Sequence, residues 1–375
     1  MNPPGGLTPS QVPQFVMFGA DDNYYADGIL WLVDTAFAGK TNPDGTPAQI
    51  TFFITAGGGS DADGGIFTPG TVGQTPDQVV SSWQAAYAAG HEIGNHTWDH
   101  DQSNSTAGDS YTTAQWQGEI TPSQAFLIKQ ANFPSCELDG FRFPYLEFDD
   151  EGFASAAAAG FLFDGSMEFG YNWWVPPVAA GAVLANGADA GCGYGCGPGV
   201  YASGQNYWWP FTLDNGPPSA DSDGFDPTET KGVTAHPGFW EFLATTWNQP
   251  PEPWDGGVPA SVATVTGLDY NMWEVQEEQP GVYNFCDALK NTFIQRYKGN
   301  RAPWNLGIHS TIYSPDDPAT DAFFANDATT RRQGLQCFID YLFSTSSDGT
   351  PQFPDVRVVG FHKVIDWMRN PQPIH

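Results

Sequence analysis

The residues best suited to chemistry close the stretch His91-Glu-Ile-Gly-Asn-His96-Thr-Trp-Asp-His100. On a helical turn, His96 and His100 would present their imidazoles to the same side. Two imidazoles on one face, just past a short apolar strand, begin a divalent-metal site. A histidine pair alone is more often solvated or packed than metal-bound, so a third ligand must come from elsewhere. Asp21-Asp22 follows the apolar run Phe15-Val-Met-Phe18, and acidic pairs at the carboxyl end of a strand face a site. The plain reading of that pair is an Asp-rich turn. Together the pieces make a two-histidine, one-carboxylate set with coordination positions left for water and substrate.

Positioning such a set requires strands that end in one place. Residues 14–19 read as a buried strand and 29–37 carry helical periodicity. The β-branched and aromatic run 49–55 is a second strand, followed by a helix over 76–89 that starts at a proline and stops at Gly90. Strand 91–95 leads into the histidines. A helix over 112–130, a strand and loop over 139–145, a helix over 151–159 and a strand over 161–163 reaching Asp164 follow. The rhythm then breaks into a Gly-, Pro- and aromatic-rich excursion over 171–234, with Trp173-Trp174 and Trp208-Trp209 as landmarks. It resumes at 236–243, breaks again over 250–278, and returns as helix 286–297, strand 304–309, helix 331–343 and strand 356–360. This order predicts an α/β fold: a distorted parallel (β/α) barrel of about seven strands, TIM-like, with long loop insertions. One domain would span 1–375, with insertions at about 171–234 and 250–278. A doubly wound open sheet is the alternative, without a Gly-rich phosphate loop to support it. Asp21, Asp22, His96, Arg142, Asp164 and His309 all fall just past strand ends, where such barrels place their chemistry.

The 43 acidic against 13 basic side chains give a net charge of −30, which excludes nucleic acid and anionic membranes as partners. No apolar stretch reaches membrane-spanning length, so no membrane insertion is expected. Nor does an apolar leader follow Met1, and residues 2–6 read as the trimmed start of a mature chain. Aromatic residues make up 15%, including 14 Trp, a composition suited to stacking on sugar rings as well as to a core. Of the five cysteines, Cys192 and Cys196 would close a local disulfide or clip a metal, the disulfide being the preferred reading. The odd count leaves at least one thiol unpaired within the chain. The compartment expected is secreted, extracellular or periplasmic.

Asp21-Asp22, His96-Thr-x-x-His100, Arg142-x-Pro-Tyr145 and Leu306-x-x-His309, in this order, resemble the polysaccharide deacetylases of carbohydrate esterase family 4, particularly the insect-type chitin deacetylases. Counterparts run along nearly the whole chain, from Pro4-Gly-Gly-Leu7 through Trp209-Pro-Phe-Thr212 to Ile365-Asp-Trp-Met-Arg-Asn-Pro371. The resemblance implies a hydrolase of carbon–nitrogen bonds other than peptide bonds. Its reaction would be metal-dependent N-deacetylation of chitin or chitooligosaccharides, releasing acetate. Peptidoglycan or acetylxylan is the alternative polymer, and a carbohydrate-binding protein on the same scaffold the alternative class. A carbohydrate polymer or oligomer is the partner implied, with no obligate protein partner.

Within that scheme Asp22, His96 and His100 hold Zn2+, or Co2+, Ni2+ or Mn2+ in its place, activating water. Asp21 is the base, His309 the acid that protonates the departing amine, and Arg142 holds Asp21 by a charge-assisted pair. A backbone N–H near Tyr145 serves the developing oxyanion; Trp98 and the Trp208-Trp209 pair either wall the sugar cleft or pack the excursion, the cleft being the preferred reading. Gly19-Ala20 stands where the family has Thr-Phe, which would widen the floor of the site. Most insect-type cysteines and the attached chitin-binding modules are missing. No Asp-x-x-Asp-Trp block is recognisable, leaving Glu241 or Asp164 to orient His309. His91 and His236 read as packed histidines, His362 and His375 as surface ones.

Overall fold

A computed structural model describes residues 2–57, 66, 74–101, 111–169, 174–179, 207–218, 232–245, 247–250, 261–265, 267–278 and 284–374. Trp173, His375 and the Cys192–Cys196 pair lie outside the described residues. The strands, in chain order, are β1 Gln14–Asp21, β2 Thr51–Ile54, β3 Glu92–Asn95, β4 Gly140–Phe141, β5 Phe163–Asp164, β6 Glu168–Phe169, β7 Trp174–Ala179, β8 Phe211–Thr212, β9 Trp240–Glu241, β10 Ala244–Thr245, β11 Trp247–Gln249, β12 Ser261–Val265, β13 Trp304–His309 and β14 Val356–Val358.

One sheet of 11 strands runs β6-β10-β13-β1-β2-β3-β4-β5-β9-β8, with β14 added beside β1. Its pairings are parallel except for β8 against β9. β5 and β6 lie near opposite ends of that path, yet only three residues separate them, and so short a segment spans roughly 14 Å at most. The sheet must therefore curl until its ends approach, which makes a half-barrel. Asn305 on β13 reaches across the interior, its amide donating to the carbonyls of Gly165 (3.0 Å) and Phe242 (2.8 Å).

β1 is buried along its whole length, as a strand covered on both faces must be. Its side chains alternate between two environments. Val16, Phe18 and Ala20 pack into the large cluster beneath the helices, whereas Phe15 and Met17 join Phe53, Phe163, Phe242 and Phe361 inside the curl. Phe361 opens the helix Phe361–Arg369 and stacks on Phe163 at 5.4 Å and 5°. That helix closes the lower end of the sheet.

The flanking helices carry their caps in the sequence. Thr75 and Thr112 form capping boxes with Gln78 and Gln115 at the starts of Pro76–Ala88 and Thr113–Lys129. Asp149, Asn284 and Asp327 cap Asp150–Ala158, Phe285–Lys298 and Ala328–Leu342 by side-chain hydrogen bonds; each cap satisfies a backbone donor the helix cannot. A disulfide between Cys286 and Cys337 ties the last two of these helices together, and Cys136 is an exposed free thiol.

Two regions depart from the expected layout. Residues 250–278 hold β12 and the helix Asp269–Glu278, and β12 pairs antiparallel with β7 and β11 in a second, three-stranded sheet. The helical signal at 29–37 splits into Ala26–Trp31 and a wider turn, Leu32–Ala36.

Candidate active site

The carboxyl ends of β1, β3, β4 and β13 open into a cavity of about 530 Å³ lined by Asp21, Asp22, His96, His100, Tyr145 and His309, among others. At the end of β1 the backbone turns left-handed at Asp22 (φ 69°) and Asn23 (φ 63°), a conformation Asp and Asn tolerate better than other non-glycine residues. Asn23 holds the turn. Its side-chain amide donates to the carbonyls of Ala20 and Phe53, both at 2.7 Å, and its own carbonyl accepts from Trp83 Nε1 at 2.6 Å.

His96 leaves β3 directly, but no helical turn follows. Thr97 (φ 70°) and His100 (φ 55°) are left-handed, so the chain doubles back irregularly. Asn95 Oδ1 accepts from the Thr97 N–H (2.8 Å), and Thr97 Oγ1 accepts from the His100 N–H (3.3 Å). The Glu119 carboxylate takes the N–H groups of Trp98 and Asp99 at 3.2 and 2.8 Å. The imidazoles still meet, with ring centroids 4.9 Å apart. The expected convergence is present; the helix that was to produce it is not.

Asp22 Oδ1 lies 3.6 Å from His96 Nε2 and 3.3 Å from His100 Nε2. One ligand atom from each of the three buried residues falls within 4.8 Å of the others. His96 Nδ1 is 2.8 Å from the Arg142 carbonyl, an acceptor, which assigns the proton to Nδ1 and leaves the Nε2 lone pair facing Asp22. Burial, then the neighbouring His100, pushes the His96 pKa well below its ordinary value, against the hydrogen bond to Arg142. The imidazole is therefore neutral, as a metal ligand must be. Asp22 Oδ1 is buried without a hydrogen-bond partner among the described residues. An orphaned carboxylate oxygen beside two imidazoles is a donor set that fits a divalent transition metal.

Asp21 is 1% exposed, and its Oδ1 accepts from Arg142 Nη1 at 2.8 Å. Arg142 is fully buried over the Phe53 ring (4.4 Å) and also donates to the Gly19 carbonyl (3.3 Å) and Asn305 Oδ1 (2.7 Å). Gly19 makes room for it, since a Cβ there would stand 2.8 Å from both terminal guanidinium nitrogens. The space left by the small residue is filled by Arg142. Burial raises the Asp21 carboxyl to about 6, with Arg142 and His309 pulling it back down.

His309 is the register partner of Asp21 across the parallel β1–β13 pair. Its Nδ1 is 2.7 Å from Asp269 Oδ1, its backbone N–H donates to Asp269 Oδ2 (3.1 Å), and Tyr313 Oη donates to the same oxygen (2.8 Å). Burial opposes the charged imidazole, but the hydrogen bond and charge of Asp269, with Asp22 and Asp21 adding, hold its pKa at about 9. His309 is thus protonated at neutral pH.

Asp269 replaces both residues expected to orient His309. Asp164 and Glu241 are register partners in the wall, β5 against β9, where Asp164 accepts from the Ser166 N–H and Oγ–H and Glu241 from the Met167 N–H. Asp269 carried one legible signal, its place directly after Leu268 in the 4- and 3-spaced apolar series Leu268, Met272, Val275 that opens a helix.

The aromatic residues expected at the cleft divide. Tyr145 is 42% exposed on the cavity lining, left-handed (φ 55°), with its ring 4.7 Å from His100. Trp98 packs edge-on against Phe126 at 5.8 Å and over Gly57, outside the lining. Trp209 is buried with Val12, Tyr207 and Ala302 and stacked on Trp367 at 5.9 Å. The apolar anchor Trp367 draws it to the closed end of the sheet, away from the cavity. Among the other histidines, His91 is buried and accepts from the Ile50 N–H, and His236 pairs with Asp150 at 2.8 Å. His362 is half-exposed and pairs with Asp139.

Residues 47–163 match the family model described as polysaccharide deacetylase. Chitin deacetylase 8 of Bombyx mori is 25% identical over 374 residues, covering 100% of this chain and 75% of that protein. Among solved structures, a polysaccharide deacetylase from Mycobacterium smegmatis is matched at 13% identity and TM-score 0.45 over 100% of this chain and 97% of that one. The chitin deacetylase of the fungal pathogen Colletotrichum lindemuthianum is matched at 16% identity and TM-score 0.29 over 43% and 60%. Residues 47–163 thus match the polysaccharide deacetylase family, and the chain along its length is similar to a chitin deacetylase.

Proposed function

We propose that this protein removes N-acetyl groups from chitin or chitooligosaccharides by metal-dependent hydrolysis. The observation that carries this reading is the pairing of Asp21 with His309, opposite one another on adjacent strands beside the Asp22, His96 and His100 set. A divalent ion there, zinc being the choice that fits two imidazoles and a carboxylate, supplies Lewis acidity toward water and the acetamide carbonyl.

The side chains divide the proton work. Asp21, held by Arg142, accepts the proton of the attacking water. His309 enters protonated and gives its proton to the departing amine, with Asp269 fixing the ring and balancing its charge. The backbone at Tyr145 faces the developing oxyanion. Leu146 and Leu268, packed together with Ala244 on the cavity wall, offer an apolar corner for the acetyl methyl. Export from the cytoplasm is supported by the Cys286–Cys337 disulfide and by the silkworm relative. No helix among the described residues is long and apolar enough to cross a membrane.

Acetate release from chito-oligomers, acetylxylan and peptidoglycan, with chelator and with added zinc, tests the proposal. Chito-oligomers should give the highest kcat/KM, chelator should abolish release and zinc should restore it. Full activity in protein shown metal-free by elemental analysis would falsify the metal requirement. A higher kcat/KM on acetylxylan or peptidoglycan would reassign the polymer, and glycan binding without any acetate release would leave a binding protein.

A further inference from the structure

We propose that Phe323, backed by Tyr270, is a stacking shelf for a pyranose ring adjacent to the sugar being deacetylated, so that the enzyme acts on glycan chains in preference to single sugars. The proposal rests on the carbohydrate reading above. Among the described residues, the large hydrophobic side chains left exposed are Tyr145 and Phe323, at 42% and 51%, and both line the cavity. One exposed Phe needs no explanation by itself. Phe323 is set apart by its place and its bracing.

Phe323 ends the short helix Pro318–Phe323. The next residue, Phe324, is 2% exposed and anchors the segment in the core. Tyr270 lies against both rings, 4.9 Å from Phe323 at a shallow 34° and 5.0 Å from Phe324, and Phe323 meets Phe324 edge-on at 4.9 Å. Asp317 secures the start of the helix by accepting from the Thr320 N–H (3.1 Å) and Oγ–H (2.6 Å). Beyond its end, the Glu277 carboxylate accepts from the N–H groups of Ala325 (2.8 Å) and Asn326 (2.9 Å). Glu277 and Tyr270 belong to the helix Asp269–Glu278, whose first residue orients His309. One helix thus braces the shelf and orients the acid.

A flat ring held this way costs little ordering when a ligand stacks on it. The faces of a pyranose carry C–H groups, which suit the negative face of an aromatic ring, while its hydroxyls stay at the edge in water. A ring lying on Phe323 while the neighbouring acetamide sits between Asp21 and His309 requires a substrate of at least two sugars.

Phe323→Ala, Phe323→Leu and Phe323→Trp, measured on an acetylated monosaccharide and a chito-oligomer series, test this. Phe323→Ala and Phe323→Leu should lose roughly tenfold in kcat/KM on the longer oligomers through KM, the size of one aromatic contact. Both should lose much less on the acetylated monosaccharide, too short to reach the shelf, and Phe323→Trp should retain oligomer activity. Calorimetric binding of the oligomers should weaken in parallel, a readout independent of turnover. Unchanged oligomer binding and KM in Phe323→Ala would overturn the shelf, as would an equal loss on the acetylated monosaccharide. A wild-type protein that binds chito-oligomers through Phe323 yet releases no acetate would uphold the shelf and defeat the proposed reaction.

Discussion

Asp269 decides whether His309 can act as an acid. Without the carboxylate, burial would drive the imidazole toward its neutral form, and the ring would lose the contact that sets its rotation. Asp269→Asn keeps the shape and removes the charge. It should lower kcat on chito-oligomers by about 10²- to 10⁴-fold, the usual worth of a positioned general acid. Hydrolysis of an aryl acetate, whose leaving group departs without a proton, should suffer far less, and metal content by elemental analysis should not change. An equal loss on both substrates would remove Asp269 from proton delivery. The neighbouring polar residues show how far residue type alone can be read. Asp22, His96 and His100 stood out because a metal demands particular donors. Asp164 and Glu241 qualify for orienting His309 only by being acidic and near strand ends, which does not separate a carboxyl in the wall from one facing the cavity.

Glu92, at the start of β3, joins that strand to the closing helix. Its carboxylate accepts from Thr51 Oγ1 (3.1 Å) and the His362 N–H (3.0 Å). Burial raises its pKa to about 7, with Asp139 adding; Thr51 and His362 only partly oppose. A carboxyl whose folded pKa lies above its ordinary 4.5 stabilises the fold fully below that value and loses the contribution as pH climbs through about 7. Chemical denaturation at pH 5 and pH 8 should therefore show a shallower decline for Glu92→Gln than for the native chain; identical slopes would exclude this role. Elements announced by period and caps were legible. β1, β2 and β13 alternate faces, and Thr75 and Thr112 sit ahead of their helices with Gln three residues on. The irregular turn from Thr97 to His100, left-handed at both of those residues, was not, because residue spacing constrains which side chains meet but not the path between them. β12 and the helix at Asp269 were hidden for a different reason, since their short apolar spacing lies within a Gly-, Pro- and acid-rich stretch that reads as loop.

Across the molecule, the Cys286–Cys337 bond closes a separation of 51 residues that contains β13 and His309. By chain entropy alone such a loop contributes about 4 kcal/mol. Replacing both cysteines with serine should lower the melting temperature by several degrees, while aryl acetate turnover at low temperature is kept. An unchanged melting curve would show that the unfolded chain gains no freedom from the cut. The net charge of −30 and a distorted parallel (β/α) barrel are legible in composition and rhythm; the half-barrel curl follows from β5 and β6 being consecutive in the chain yet distant in the sheet. The pairing of Asp21 with His309 bears on heat. Because base and acid face each other across one rung of the β1–β13 ladder, the distance between them is a property of the sheet and not of its loops. Warming cannot spread them without opening the central strands. Inactivation and unfolding should then be one event, with residual activity and far-ultraviolet ellipticity falling along the same curve. Activity that fades well below the loss of ellipticity would move the weakest point from the strands to the turns that carry the metal ligands.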